Sequence, residues 1–278
     1  MATRIGLWLA CGLVLAGCAS STAYRVTRSD VIRPCETSVR DGDLLVGVAL
    51  SGGGSRAALF GAAGLEALAG LRTADGVSVI DKISHLSSVS GGSIAASYYA
   101  LKKPGRDVKV LNADGTLSEA YRTFFEKYRA DLSQDFETSL IWRQLLSFRW
   151  LNSALAARTL AEIVGERLYG ARLQDLSARE KAGDSPGLII NTTLYNNGRR
   201  LALTTLPPEV FDYDFFADLE RSVQERGRPL NVAPRVRERW NRLRPMTPIE
   251  IGIDPCPAGL AGSVTASASF RLWSVPSP

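Results

Sequence analysis

Two apolar runs, each closed by a turn of small residues and followed by a helical run, constrain this chain most. Residues 44–50 (LLVGVAL) are a short β-rich stretch that reads as a fully buried strand, and they lead into Ser51-Gly52-Gly53-Gly54-Ser55-Arg56. Residues 57–71 then carry apolar side chains at helical spacing. The pattern repeats. Residues 79–89 hold a second strand, centred on 85–89, that enters Ser88-Val89-Ser90-Gly91-Gly92, and residues 92–101 are a small-residue helix ending before Lys103-Pro104-Gly105. Successive strand–helix units of this kind pair in parallel through right-handed crossovers, so the predicted class is α/β with a mainly parallel central sheet.

The rest of the chain is less regular. Residues 117–176 read as long, helical and aromatic-rich, with Phe124, Phe125, Tyr128, Phe136, Trp142, Phe148 and Trp150 either in a helix core or lining an acyl-chain groove or membrane-contacting cap. Residues 188–194 and 200–205 read as two strands joined at Asn196-Asn197-Gly198, a hairpin signal. Residues 206–248 are broken by proline and arginine, and residues 249–253 (IEIGI) read as a further short strand. At 278 residues, 45% apolar and 22% charged, one large domain with a sizeable core is expected. The net charge is +5, with arginines gathered late, from Arg221 to Arg244. They form either a basic face for an anionic partner or a solvated charged surface. No aromatic-interleaved RNA motif or zinc-finger spacing accompanies them, so no nucleic-acid partner is predicted.

The amino terminus has its own pattern. Arg4 precedes an apolar run over residues 5–16, too short to span a bilayer as a mature helix and readable as a secretory signal. It ends in Leu15-Ala16-Gly17-Cys18, which resembles the bacterial lipobox, in which the cysteine is acylated and becomes the first mature residue. A plain signal peptide with a chance cysteine is the alternative. The expected organisation is therefore a signal over 1–17, a tether over 18–42 and a domain over 43–278, carried on lipidated Cys18 in the cell envelope. Ala19, rather than Asp, after the cysteine points to the outer membrane. In an oxidising compartment Cys35 and Cys256 either form one disulfide or remain as buried thiols. No metal-ligand cluster is visible, since the only histidine is His85 and the cysteines are isolated.

The chemistry centres on Ser90. A serine on a tight strand-to-helix turn exposes its Oγ at the sheet edge, and the usual G-x-S-x-G pattern keeps the flanking positions small. Here Ser88 and Gly92 hold those positions, a weaker match, and a structural serine in a flexible turn is the competing reading. Gly52, Gly53 and Gly54 follow a strand and open a helix, where bare amides and the helix dipole suit an oxyanion. A phosphate-binding loop would need Lys after the glycines, and a dinucleotide fingerprint would need glycine at Ala57. Arg56 either anchors the loop through charge-assisted hydrogen bonds or is solvated. His85 precedes Ser90 on the same strand and reads as a buried structural histidine, so if the chain is a serine hydrolase a carboxylate must serve as base.

Four blocks in this order resemble the patatin-like phospholipases over roughly residues 44–270. They are Leu50 to Arg56, Ser87 to Ser93, Asn191-Thr192-Thr193 through Gly198-Arg199-Arg200, and Val264-Thr265-Ala266-Ser267-Ala268-Ser269-Phe270. The resemblance implies a three-layer α/β/α fold and a lipid acyl hydrolase acting on membrane lipid. Ser90 would be its nucleophile and the amides of Gly52, Gly53 and Gly54 its oxyanion donors, with an Asp as base and no metal or organic cofactor. In the family the last block continues through prolines to an Asp-Gly-Gly or Asp-Gly-Ala motif, whereas here it runs Arg271 to Pro278. The Asp-Gly pairs Asp41-Gly42, Asp75-Gly76 and Asp114-Gly115 lie too early, and Asp254 also precedes the block. The partner Asp is thus expected to be absent from these residues and the domain incomplete at its carboxyl end. A one-base frame change after Phe270, which codon degeneracy permits, would restore the family continuation. The alternative function is a non-catalytic lipid-binding or scaffolding envelope lipoprotein.

Overall fold

A computed structural model describes residues 35, 45–147, 154–168, 170–194, 197–211, 215–225, 227 and 232–268. The signal and tether expectations, Cys18, Phe148, Trp150 and the chain beyond 268 lie outside the described residues. Strand β1 (Val46–Leu50) leads to helix α1 (Gly54–Ala69), and β2 (Ile83–Val89) to α2 (Gly91–Lys102). Four helices follow, α3 (Glu119–Leu132), α4 (Phe136–Leu146), α5 (Ala154–Leu168) and α6 (Leu173–Ala182). Then come β3 (Gly187–Thr193), β4 (Arg200–Thr204), α7 (Phe215–Gln224), α8 (Pro234–Leu243) and α9 (Leu260–Ala268).

The sheet order is β1-β2-β3-β4. The first two pairings are parallel and β3–β4 is antiparallel, as a tight Asn-Gly connection requires. Helices flank this mainly parallel sheet, giving an α/β/α architecture. Two strand expectations are corrected. Strand β1 is not fully buried: among the described residues it pairs with β2 alone, and Gly47 and Ala49 lie exposed between Val46, Val48 and Leu50. Residues 249–253 do not form a strand. Ile249–Ile251 is a 3₁₀ turn, closed when Ile251 and Ile253 donate to the Pro248 carbonyl and Gly252 takes φ 76°. A short apolar run between Pro and Gly carries no period long enough to distinguish the two.

Helix α2 is the hub. Residues 91–100 are all buried, which follows from their size: Gly, Ser and Ala let the sheet and neighbouring helices approach from every side. Its two tyrosines meet Phe124 and Tyr128 of α3, and the Tyr98 and Tyr128 rings stack at 4.9 Å. Phe124, Phe125, Tyr128 and Phe136 are therefore core residues, whereas Trp142 on α4 is exposed. Burial pushes the Tyr99, Tyr121 and Tyr128 phenols up, so they stay protonated hydrogen-bond donors. The Tyr128 hydroxyl donates to the Ala95 carbonyl at 2.7 Å. Replacing Tyr128 with Phe keeps the ring and removes that one bond, and urea unfolding is expected to show a loss of about 1 kcal/mol.

Arg179 of α6 reaches the end of α2, donating to the Ala100 and Lys103 carbonyls at 3.1 and 2.7 Å, as a cation at a helix carboxyl end should. The buried Glu180 accepts from the Leu188 amide at 3.1 Å and the Thr205 hydroxyl at 2.5 Å, tying α6 to the second half of the sheet. A Cys35–Cys256 disulfide joins residues 221 apart in sequence, just ahead of α9. Among the described late arginines, Arg237, Arg242 and Arg244 each pair with a glutamate at 2.6 Å.

Candidate active site

The turn between β2 and α2 is the most unusual stretch of backbone in the described chain. Among the described residues Ser90 is the only non-glycine residue with positive φ, at φ 53° and ψ −125°. An L-residue held there costs about 1–3 kcal/mol and persists only where the surroundings impose it. Ser90 also sits at the N-cap of α2, where a serine side chain ordinarily satisfies a free amide, yet its hydroxyl makes no capping bond. Half-buried, Ser90 Oγ has no hydrogen-bond partner among the described residues.

The glycine loop closes over this turn. At Gly53, φ 141° is open to glycine alone, and it redirects the chain from β1 into α1. A Cβ on Gly52 would stand 3.1 Å from the Ser90 Cβ, so the loop backbone lies directly beside the serine. The reverse contact is tighter still. A Cβ on Gly91 would lie 2.0 Å from the Gly54 carbonyl oxygen, and one on Gly92 2.5 Å from that of Ser51. Gly52 and Gly53 are exposed, and their amides donate no hydrogen bond among the described residues. Free amide donors and a strained serine thus share one edge of the sheet, at the amino ends of two helices, a suitable place for developing negative charge.

Several expected residues sit elsewhere. Arg56 is exposed on the first turn of α1, and its side chain makes no hydrogen bond or ion pair among the described residues, in line with the solvated alternative; the loop backbone packs against Gly91 and Gly92. His85 is half-buried near the far end of β2, opposite Gly47 and Gly187, about 15 Å from the turn at about 3.3 Å per residue. Asp75-Gly76 and Asp114-Gly115 are turn-formers. Gly76 and Gly115 take φ 82° and 91°, and the carboxylates accept from Lys82 and from Thr116. Asp254 accepts from the Cys256 amide at 3.0 Å. No carboxylate or imidazole among the described residues hydrogen-bonds to Ser90 Oγ.

Ser88, already placed at the small position before Ser90, donates to the Ile189 carbonyl at 3.2 Å. Sequence reasoning missed two further groups that hold the turn. Asn191 Nδ2 donates to the Ser88 carbonyl and to Ser87 Oγ, both at 3.0 Å, linking β3 to the end of β2. Ser267 Oγ of α9 accepts from the Ser90 amide at 2.8 Å. The one signal available was that Asn191 and Ser267 each lie in a block resembling the family. A family model for patatin-like phospholipases matches residues 48–239, more than half the chain. No curated protein and no solved structure matches it.

Proposed function

This chain belongs to the patatin-like phospholipase family and has its fold, and from that premise we propose that it hydrolyses fatty acyl esters of membrane phospholipids or related lipids with Ser90 as nucleophile. The observation that carries the reading is the strained Ser90 turn with the bare Gly52–Gly54 backbone against it. Ser90 Oγ attacks the ester carbonyl carbon while its proton passes to a carboxylate, the Asp of a Ser–Asp dyad. Amides at Gly52, Gly53 and Gly54 hold the oxyanion of the tetrahedral adduct. Its collapse breaks the ester C–O bond, and the lysolipid alcohol leaves with the proton. Water, deprotonated by the same carboxylate, then cleaves the acyl-serine to fatty acid and free Ser90. The dyad Asp is assigned to no described residue. In this reading the domain is anchored through acylated Cys18 to the outer membrane, facing the periplasm or the surface, which the lipobox pattern supports.

One observation favours a second reading, a lipid-binding or scaffolding lipoprotein without catalysis: no described carboxylate bonds to Ser90 Oγ. Treating the purified full chain with a fluorophosphonate, mapping the adduct by peptide mass spectrometry, and assaying fatty acid released from phospholipid vesicles separates the two. An adduct on Ser90 together with fatty acid and lysolipid is expected. Vesicle binding with neither adduct nor fatty acid would support the scaffold and overturn the hydrolase.

A further inference from the structure

We propose that Ser267 is a positioning residue, its hydroxyl locking the Ser90 turn in the conformation that presents Oγ; this rests on the reading of Ser90 as nucleophile. The Ser267 hydroxyl stands among three partners. It lies 2.5 Å from the Asn191 carbonyl, 2.8 Å from the Ser90 amide nitrogen and 3.1 Å from Ser93 Oγ. Only one assignment of protons satisfies all three. The carbonyl can only accept, so Ser267 donates its single proton there; the Ser90 N–H and the Ser93 O–H then donate into its two lone pairs. One hydroxyl thereby bonds the first residue of the turn, the first turn of α2 and strand β3.

The amide of an N-cap residue has no intrahelical partner, and in a capping box the N3 side chain meets it. Here a side chain 177 residues later takes the Ser90 amide. The Ser93 amide, a usual target of an N-cap hydroxyl, donates to the Ser90 carbonyl at 2.8 Å instead, and the Ser90 hydroxyl makes no capping bond. Helix α9 is itself fastened beside the turn, because Thr192 Oγ1 of β3 donates to the Ala266 carbonyl at 2.7 Å. That second bond touches neither Ser90 nor α2, so it supplies the comparison the test needs.

Ser267→Ala, Ser267→Thr and Thr192→Val would be made in the full chain. Three quantities are measured: hydrogen exchange at the Ser90 amide by NMR, the phosphonate-labelling rate constant of Ser90, and the melting temperature. Ser267→Ala is expected to speed Ser90 exchange and to slow labelling about 10- to 100-fold, since small misplacement of a reacting group costs up to about 100-fold. The probe concentration for half-maximal rate should stay unchanged. Ser267→Thr, which keeps the hydroxyl, should restore both readouts. Thr192→Val should lower the melting temperature and leave labelling alone. If Ser267→Ala does not fold, Ser267→Cys provides the same comparison with volume kept and the hydrogen bonds weakened. Wild-type labelling and a protected Ser90 amide in the Ser267 variant would overturn the proposal, as would equal slowing by Thr192→Val. A wild type that takes no phosphonate at Ser90 sinks the nucleophile reading, and amide exchange still decides whether Ser267 holds the turn.

Discussion

Ser90→Ala is expected to abolish phosphonate labelling and to lower fatty-acid release by about four to six orders of magnitude, the usual consequence of deleting a covalent nucleophile. The same change should leave the melting temperature near that of the wild type. Alanine at φ 53° is as strained as serine, and the Ser90 hydroxyl has no described hydrogen bond to lose. Ser90→Gly separates strain from chemistry. Glycine adopts positive φ freely, so the strain of about 1–3 kcal/mol is relieved, less about 0.4–1 kcal/mol for the more flexible unfolded chain. The net expectation is an inactive protein more stable than Ser90→Ala by about 1 kcal/mol, read by thermal and urea unfolding in parallel with labelling. A glycine variant less stable than the alanine variant would show that the turn is not strained. Retained labelling in Ser90→Ala would place the nucleophile elsewhere.

Gly91→Ala carries the largest expected loss of stability. The added Cβ would stand 2.0 Å from the Gly54 carbonyl oxygen and 2.8 Å from its carbon, both backbone atoms, so no side chain can swing aside. Relief requires the glycine loop and the amino end of α2 to separate, which dismantles the site and opens the core around α2. A loss of about 3 kcal/mol or more follows, enough in a marginally stable domain to leave little folded protein. Gly64→Ala is the control. Gly64 lies inside α1 with open space where its Cβ would go, so the same chemical change should stabilise by about 0.5–1 kcal/mol through helix propensity. Solubility and urea midpoints of the two variants check both signs. A folded, wild-type-like Gly91→Ala would mean that loop and elbow are not in contact.

Much of this was legible in the sequence because it is local. Apolar runs ending in Gly-rich turns located β1, α1, β2 and α2, and the Asn-Gly signal located the β3–β4 hairpin. The serine and the glycine loop stood out for the same reason: their residue types suit the backbone conformations those turns adopt. Residues 117–176 resolved into separate helices, α3 to α6, only in three dimensions, because amphipathic periodicity continues across short breaks. That β1 has a single neighbour among the described strands was likewise hidden, since a strand's exposure depends on how many neighbours it has.

The sequence by itself determined that a serine turn and a bare glycine loop would each form at the end of a strand, and which family they resemble; the strain at Ser90 is read from the structure. Only the tertiary structure decided that the two touch through Gly52, Gly54 and Gly91, that Arg56 lies exposed, and that Ser267 takes the Ser90 amide. The physical reason is range. Turn geometry is set by steric freedom within a few residues, while a hydrogen bond spanning 177 residues depends on how α9 packs against β3 and α2, which no local pattern specifies.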